Sequence, residues 1–402
     1  MMTLIKPHIE YSSHCPYCGN NLSPQSIIWH GMHVCVESRC SVCLAEIIGD
    51  LSVGHAVNYP YLIDIKNHKF FGTNYAHKNI ITDNWLGLSL LNSFQNPINQ
   101  QVEIQKEVFK SFNRVIVLNC IDHLYGHTLL KLLNSDRHLQ NNPDFGLIIV
   151  IQKFLRWMVP EGVAEVWTLD IPLILGQSYY PNINKFILNE LDRFDEVHLS
   201  SAHSHPSDFD ITNYTKVPKH DFKDESFRIT FVWREDRIWI NFFIFRVLRK
   251  LKLDYIYLML QNWKVRRLLK AIKKRIPSAT FTVAGLGRKT KFPDWIDDMR
   301  VNKFNEKSER ITCELYSKSR LVIGLHGSNM LLPSAHAGMT IDLMPVDRLS
   351  NICQDILYQK VDPRLSNFCY RFPSAEITIN QLVETAVSMI KDYDTFSMHM
   401  RF

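Results

Sequence analysis

The stretch SRLVIGLHGSNMLLPSAHAGMTIDLMP, residues 319–345, decides the fold class. Arg320 to Leu325 is an apolar run rich in branched side chains, which reads as a strand buried on both faces. His326, Gly327, Ser328 and Asn329 make a small-residue turn that opens a helix through MLLPSAHAG, and Thr340 begins the next apolar strand. Strand, turn, helix and strand in so short a span is the repeating unit of a parallel sheet covered by helices.

The same rhythm extends outward on both sides. Upstream, Arg228 to Trp233 reads as a strand that runs straight into Arg234-Glu235-Asp236-Arg237. A long basic helical region ends in VRRLLKAIKKRIP, where Pro277 closes it, and Ala279 to Gly287 reads as strand and turn. SERITCELYSKS, from Ser308, continues as a helix. In the amino-terminal half, Arg114 to Ile121, Phe145 to Gln152, Glu165 onward and Glu196 onward read as strands. The turn Asp122 to His127 leads into the helical TLLKLLNSDRHL, and NINKFILNELDRF separates the last two strands. Residues 57–100, rich in Asn, His and Tyr, read as loop. The expected class is α/β with two Rossmann-like domains, residues 57–222 and 223–385, and a helical tail over 386–402.

Composition narrows the rest. The chain has 402 residues, 46 % apolar and 21 % charged, which excludes disorder, collagen-like repeats and a coiled-coil rod. The start lacks the apolar core of a signal peptide. The most apolar stretch, Phe242 to Leu260, is broken by Arg246, Arg249, Lys250, Lys252 and Asp254 and does not read as a membrane span. A cytoplasmic protein is expected. Net charge is +6, yet residues 242–275 hold eleven Lys and Arg against one acid, so the remainder is net −4. That basic segment is either a solvated helix face or a peripheral contact with the inner face of an anionic membrane.

Five of nine cysteines fall in the first fifty residues. Cys15-Pro16-Tyr17-Cys18, twenty-one residues, then Cys40-Ser41-Val42-Cys43 has the spacing of a tetrahedral four-cysteine zinc site on two knuckles joined by a hairpin. Residues 10–56 are expected to form a zinc ribbon holding structural Zn²⁺, with Cys35, His14, His30 and His33 as alternative ligands. Arg39 is the lone Lys or Arg between the knuckles, which speaks against nucleic acid as a partner.

In open parallel sheets ligands bind beyond the carboxyl ends of the strands. Four polar clusters stand at such ends: Asp122–His127, Arg234–Arg237, Gly285–Lys289 and His326–Asn329. In the last, Gly327 admits a ligand to the backbone, Ser328 and Asn329 cap the helix or contact phosphate, and His326 sits at the strand tip. His203 and His205 form a further histidine pair on a loop.

The run over residues 319–345 resembles the donor-site segment of GT-B glycosyltransferases, especially the GT61-like enzymes, and LLKAIKKRIPSATFTVAGLG before it suits the same carboxyl-terminal domain. The resemblance spans about residues 227–345 and leaves the ribbon unaccounted for. It implies transfer of a sugar from a nucleotide-sugar donor to a hydroxyl of a glycan or lipid-linked glycan, without a metal at the catalytic centre. Arg234, Arg237, Arg288, Lys289, His326, Gly327, Ser328 and Asn329 would bind the donor diphosphate, and Asp122, His123 and His127 would supply the general base. Polysaccharide pyruvyl transferases carry a comparable strand–histidine–helix element, so pyruvyl transfer is the alternative reaction. A non-catalytic nucleic-acid- or protein-binding chain built on the ribbon is the alternative outside enzymology.

Overall fold

A computed structural model describes residues 2–72, 82–202, 206, 209–224, 227–240, 242–357 and 362–400. His203 and His205 lie outside the described residues. The described residues form a mixed α/β structure with three sheets, divided into two compact units, Met1–Asp210 and Ile211–Phe402. No helix among them is long and apolar enough to cross a membrane.

The first unit carries strands β1 (Met2–Lys6), β2 (Leu22–Trp29), β3 (Val34–Cys40), β4 (Glu46–Asp50), β5 (Tyr61–Asp64) and β6 (Lys69–Gly72). They are followed by β7 (Ile104–Val108), β8 (Arg114–Asn119), β9 (Gly146–Gln152), β10 (Glu165–Leu169) and β11 (Glu196–Ser200). One sheet has the order β1-β11-β8-β9-β10-β7, in which the four inner strands are parallel and β1 and β7 close the edges antiparallel. Strands β8 to β10 progress to one side, and β11 returns to the other side of β8. The strand order therefore reverses between β8 and β11. The second sheet, β2-β3-β4-β5-β6, is an antiparallel meander.

Residues 57–100, read as loop, thus hold two strands and, further on, the helix Ser89–Gln95. The four-residue strands are too short for alternation to stand out against the surrounding Asn and His. The cysteine-bearing hairpin is also not an appendage. Trp29, Val34, Val36, Leu51 and Val53 share one buried cluster with Val115, Val117, Ile148 and Trp167 of the parallel sheet. Asn184, on helix Pro181–Leu191, accepts a 2.7 Å hydrogen bond from the Trp29 amide.

The second unit carries β12 (Arg228–Arg234), β13 (Thr280–Leu286), β14 (Asp297–Val301), β15 (Ser319–Leu325), β16 (Met339–Leu343) and β17 (Tyr370–Arg371). Their order is β14-β13-β12-β15-β16-β17, and every neighbouring pair is parallel. In order of sequence this is 3-2-1-4-5-6, so the sheet reverses between β12 and β15. Strand β14, DDMRV, escapes sequence reading because an edge strand need not be apolar. Ile229, Phe231, Trp233, Val283 and Ile323 pack on Val265, Leu268, Leu269 and Ile272 of helix Asp254–Arg275. The same cluster takes in Leu382, Ala386, Met389 and Ile390 of helix Ile379–His399. The expected tail over 386–402 is therefore, up to His399, a core helix that begins at a Thr378/Gln381 capping box.

Because Trp29 ties the meander to the parallel sheet, Trp29→Ala is expected to destabilise the first unit by about 3–5 kcal/mol. Denaturant unfolding followed by fluorescence and by far-ultraviolet circular dichroism should shift together. A shift confined to one probe would show that the meander melts by itself.

Candidate functional site

Three clusters gather ligand-type atoms of His, Cys, Asp or Glu within 4.8 Å of one another: Cys15, Cys18, Cys40 and Cys43; His55, Asp122 and His127; His326, Asp342 and Asp355. Each is built differently.

The cysteines sit on two matching turns. The Gly19 amide returns to the Cys15 carbonyl at 2.9 Å, and the Leu44 amide to the Cys40 carbonyl at 3.1 Å. The residue after each second cysteine is left-handed, Gly19 at φ 71° and Leu44 at φ 59°. The first is a glycine, for which that conformation carries no Cβ clash, while Leu44 adopts it with a side chain. Sulfur–sulfur distances are 3.4 Å for Cys15–Cys43, 3.4 Å for Cys18–Cys40 and 3.6 Å for Cys18–Cys43. A disulfide needs about 2.05 Å, whereas a tetrahedron of ~2.3 Å zinc–sulfur bonds has edges of about 3.8 Å. The four sulfurs therefore fit one zinc ion. Three of the alternatives lie elsewhere: Cys35 is buried against Asp50, which also holds His33 at 2.9 Å, and buried His30 stacks on Tyr179.

The second cluster lies at the carboxyl end of β8, where the strand order of the first unit reverses. Asp122 is fully buried. Its Oδ1 accepts from the amides of His123 and Leu124 at 2.9 and 3.1 Å, fixing the turn before helix Tyr125–Leu132. Its Oδ2 lies 2.9 Å from the ammonium of buried Lys131, which also donates to the Ile121 carbonyl at 2.7 Å. Burial alone would raise the Asp122 pKa, but Lys131 and the hydrogen bonds outweigh it and hold the carboxyl well below the usual range. His127 Nδ1 is 3.4 Å from Asp122 Oδ1 and 2.9 Å from His55 Nε2. Burial pulls His55 down to about 3, so it is a neutral imidazole.

His123 is held at one ring nitrogen. Nε2 accepts from the Trp85 indole at 3.1 Å, while buried Nδ1, 3.3 Å from Asp122, makes no hydrogen bond. The three residues expected here are thus together, with different tasks: Asp122 anchors, His123 packs against Trp85, and His127 reaches a pocket. Gly54, His55, Asn58, Tyr59, Lys131 and Ala202 line that pocket with it. His55 could not be found from spacing, since it stands on a different sheet's loop. Lys131 left one signal, a lone cation inside the apolar TLLKLL, which calls for a buried carboxylate.

The third cluster stands at the tips of β15 and β16 in the second unit. His326 is 3 % exposed, with Nδ1 2.8 Å from Asp342 and 3.0 Å from Asp355. Burial would lower its pKa, yet the two carboxylates outweigh burial and lift it to about 9. Asp355 also accepts from the Gly327 amide at 2.6 Å. His326 was expected to bind the donor diphosphate; it is instead buried between Asp342 and Asp355, and Asp355 holds the turn through the Gly327 amide. The helix expected after the turn is a short 3-10 turn, Ser328–Met330, followed by Leu331–His336. Asn329 donates back to the Leu325 carbonyl at 3.2 Å. Lys131 and His326 supply a cation to their own clusters, which leaves the cysteines as the set with no internal counter-charge.

The remaining cations divide. Arg234 is paired with Asp236 through two hydrogen bonds of 2.8 and 2.7 Å. The Lys289 amide donates to Glu235 at 2.9 Å, and Arg288 is exposed. Arg237 is half-buried beside Gly327, where a Cβ would meet its guanidinium at 2.7 Å; Gly327 has φ 142°. No hydrogen bond or ion pair engages the Arg237 side chain among the described residues. Burial and the neighbouring Arg348 lower its pKa, and the opposing pull of Asp236 and Asp355 does not offset them.

No protein-family model and no curated protein matches the sequence. A solved structure described as "Crystal structure of GtfA/B complex" aligns over 94 % of this chain and 77 % of its own at 8 % identity, with a TM-score of 0.27. A likeness at that level carries no argument about this chain.

Elemental analysis is expected to find about one zinc per chain, and Cys40→Ser with Cys43→Ser to lose it together with stability. A folded chain free of metal would contradict the cysteine geometry. His326 has a folded pKa above its unfolded one, so the stabilisation from its charge falls as pH rises from about 6.5 through about 9. The melting-temperature gap between wild type and His326→Gln should accordingly shrink over that window. A gap independent of pH would show that His326 is not held as imidazolium.

Proposed function

We propose that the chain is a glycosyltransferase that moves a sugar from a nucleotide-sugar donor to a hydroxyl of a glycan or lipid-linked glycan. In this reading both parallel sheets are Rossmann-like and the architecture is of GT-B type. The observation that carries it is Arg237, a half-buried guanidinium with no ion pair or hydrogen bond among the described residues, at the carboxyl end of β12 where the strand order reverses. A diphosphate supplies the missing negative charge, and guanidinium geometry suits it. Gly327 leaves the room in which the Arg237 guanidinium lies against the turn that Asp355 steadies.

In the first unit His127 is the general base. With its Nδ1–H directed at Asp122 and the neutral His55, the lone pair on Nε2 is free to take a proton from the acceptor hydroxyl. The buried carboxylate stabilises the imidazolium that forms, and Lys131 keeps that carboxylate ionised. No step needs the cysteine cluster, whose zinc is structural in this reading.

A panel of UDP, GDP, CMP and ADP in a thermal-shift assay should produce one clear winner. Arg237→Ala should weaken that nucleotide by about ten- to a hundredfold, the worth of a charged hydrogen bond, with Arg237→Lys in between. If no nucleotide shifts the protein, the donor reading fails, and stabilisation by a phosphate-bearing carboxylate alone would favour pyruvyl transfer. His127→Ala should reduce transfer by about 10²–10⁴-fold at unchanged nucleotide affinity. Undiminished turnover in that variant would remove His127 as the base.

A further inference from the structure

Helices Phe242–Lys250 and Asp254–Arg275 meet at a tight tip, Leu251-Lys252-Leu253, in which Lys252 is left-handed at φ 56°. One face of the longer helix is core: Leu258, Val265, Leu268, Leu269 and Ile272 are buried. The opposite face of a surface helix is ordinarily polar. Here its first turns present Tyr255, Ile256, Met259, Leu260 and Trp263, at the i, i+4, i+8 spacing of one stripe, and all are exposed. Leu251 and Tyr255 are each 60 % exposed and Trp263 54 %. The stripe then turns basic, through exposed Arg266, Arg267 and Lys270, and the tip is flanked by exposed Arg249, Lys250 and Lys252. Asp254 is the only acid in residues 242–275, which hold eleven Lys and Arg.

We propose that this helical hairpin is a docking surface for an anionic lipid bilayer, with Leu251, Leu253 and Trp263 entering the interface and the surrounding cations meeting lipid headgroups. A contiguous exposed apolar stripe needs a cover, and charge identifies which. A second copy of the chain would bring the same local charge of +10 against it. An anionic bilayer complements that charge, and it accepts Trp and Tyr at headgroup depth with aliphatic side chains below. The rest of the chain, at net −4, is repelled by such a surface, which orients the hairpin towards it. This inference is independent of the sugar-transfer reading, because it needs neither nucleotide nor catalysis.

The test is co-sedimentation of the full chain with vesicles of phosphatidylcholine alone and of phosphatidylcholine mixed with phosphatidylserine. Binding is expected to the mixed vesicles only, and to fall between 0.1 M and 1 M salt, where the screening length drops from about 10 Å to about 3 Å. Arg249→Gln with Lys250→Gln and Lys252→Gln should weaken it about a hundredfold. Leu251→Ser with Leu253→Ser and Trp263→Ser should also weaken it at unchanged charge. Because these side chains are exposed, both triple variants should melt like the wild type. No binding to mixed vesicles, or wild-type binding by the apolar triple variant, overturns the proposal. So does self-association in sedimentation velocity without vesicles that the apolar variant abolishes, which would make a second copy the cover.

Discussion

A parallel strand covered on both faces can show polar chemistry only where it ends. That constraint arranges this protein. The inner strands β8, β9, β12 and β15 are apolar almost throughout because helices or loops cover them, and the residues free to be polar are those past the carboxyl tips. Where the strand order reverses, the connections on either side lead away from each other and leave a gap at the tips. In the first unit that gap is lined by His127 and Lys131; in the second, Arg237 stands beside Gly327.

The two tips handle charge in opposite ways. Asp122 is buried and would be neutral in an apolar setting, but Lys131 at 2.9 Å keeps it ionised, and its surplus hydrogen-bonding capacity orients the imidazoles around it. His326 likewise lies between Asp342 and Asp355. Both clusters hold turns in place, through the amides of His123 and Leu124 in one and of Gly327 in the other. Arg237, by contrast, makes no ion pair or hydrogen bond among the described residues, with Asp236 and Asp355 acting on it only at a distance.

The cysteine cluster follows another logic. Its knuckles are local turns closed by their own backbone bonds, yet the hairpin between them is not self-sufficient. Trp29, Val34 and Val36 find their cover on the parallel sheet, so the cysteine-bearing hairpin and the α/β core of the first unit share one buried cluster.

Much of this was legible in order of residues alone. Buried strands announce themselves by unbroken apolar runs, the two CxxC knuckles by spacing, and the polar tips by their position after such runs. Local patterns suffice there, because strand burial, knuckle turns and strand-end polarity each involve residues close in sequence. They also sufficed to bring Asp122, His123 and His127 under one heading, though not to separate their tasks. The edge strand β14 and the short β5 and β6 were not legible, since an edge or a four-residue strand leaves no periodic mark. Nor were His55 and Asp355, which reach their clusters from distant loops, nor the distinction between Arg234, cancelled by Asp236 two residues on, and Arg237, left without a partner. Sequence determined which residue types stand at the strand tips. Only the tertiary structure decided which of those charges are neutralised, because a counter-charge is a matter of a few ångströms in space.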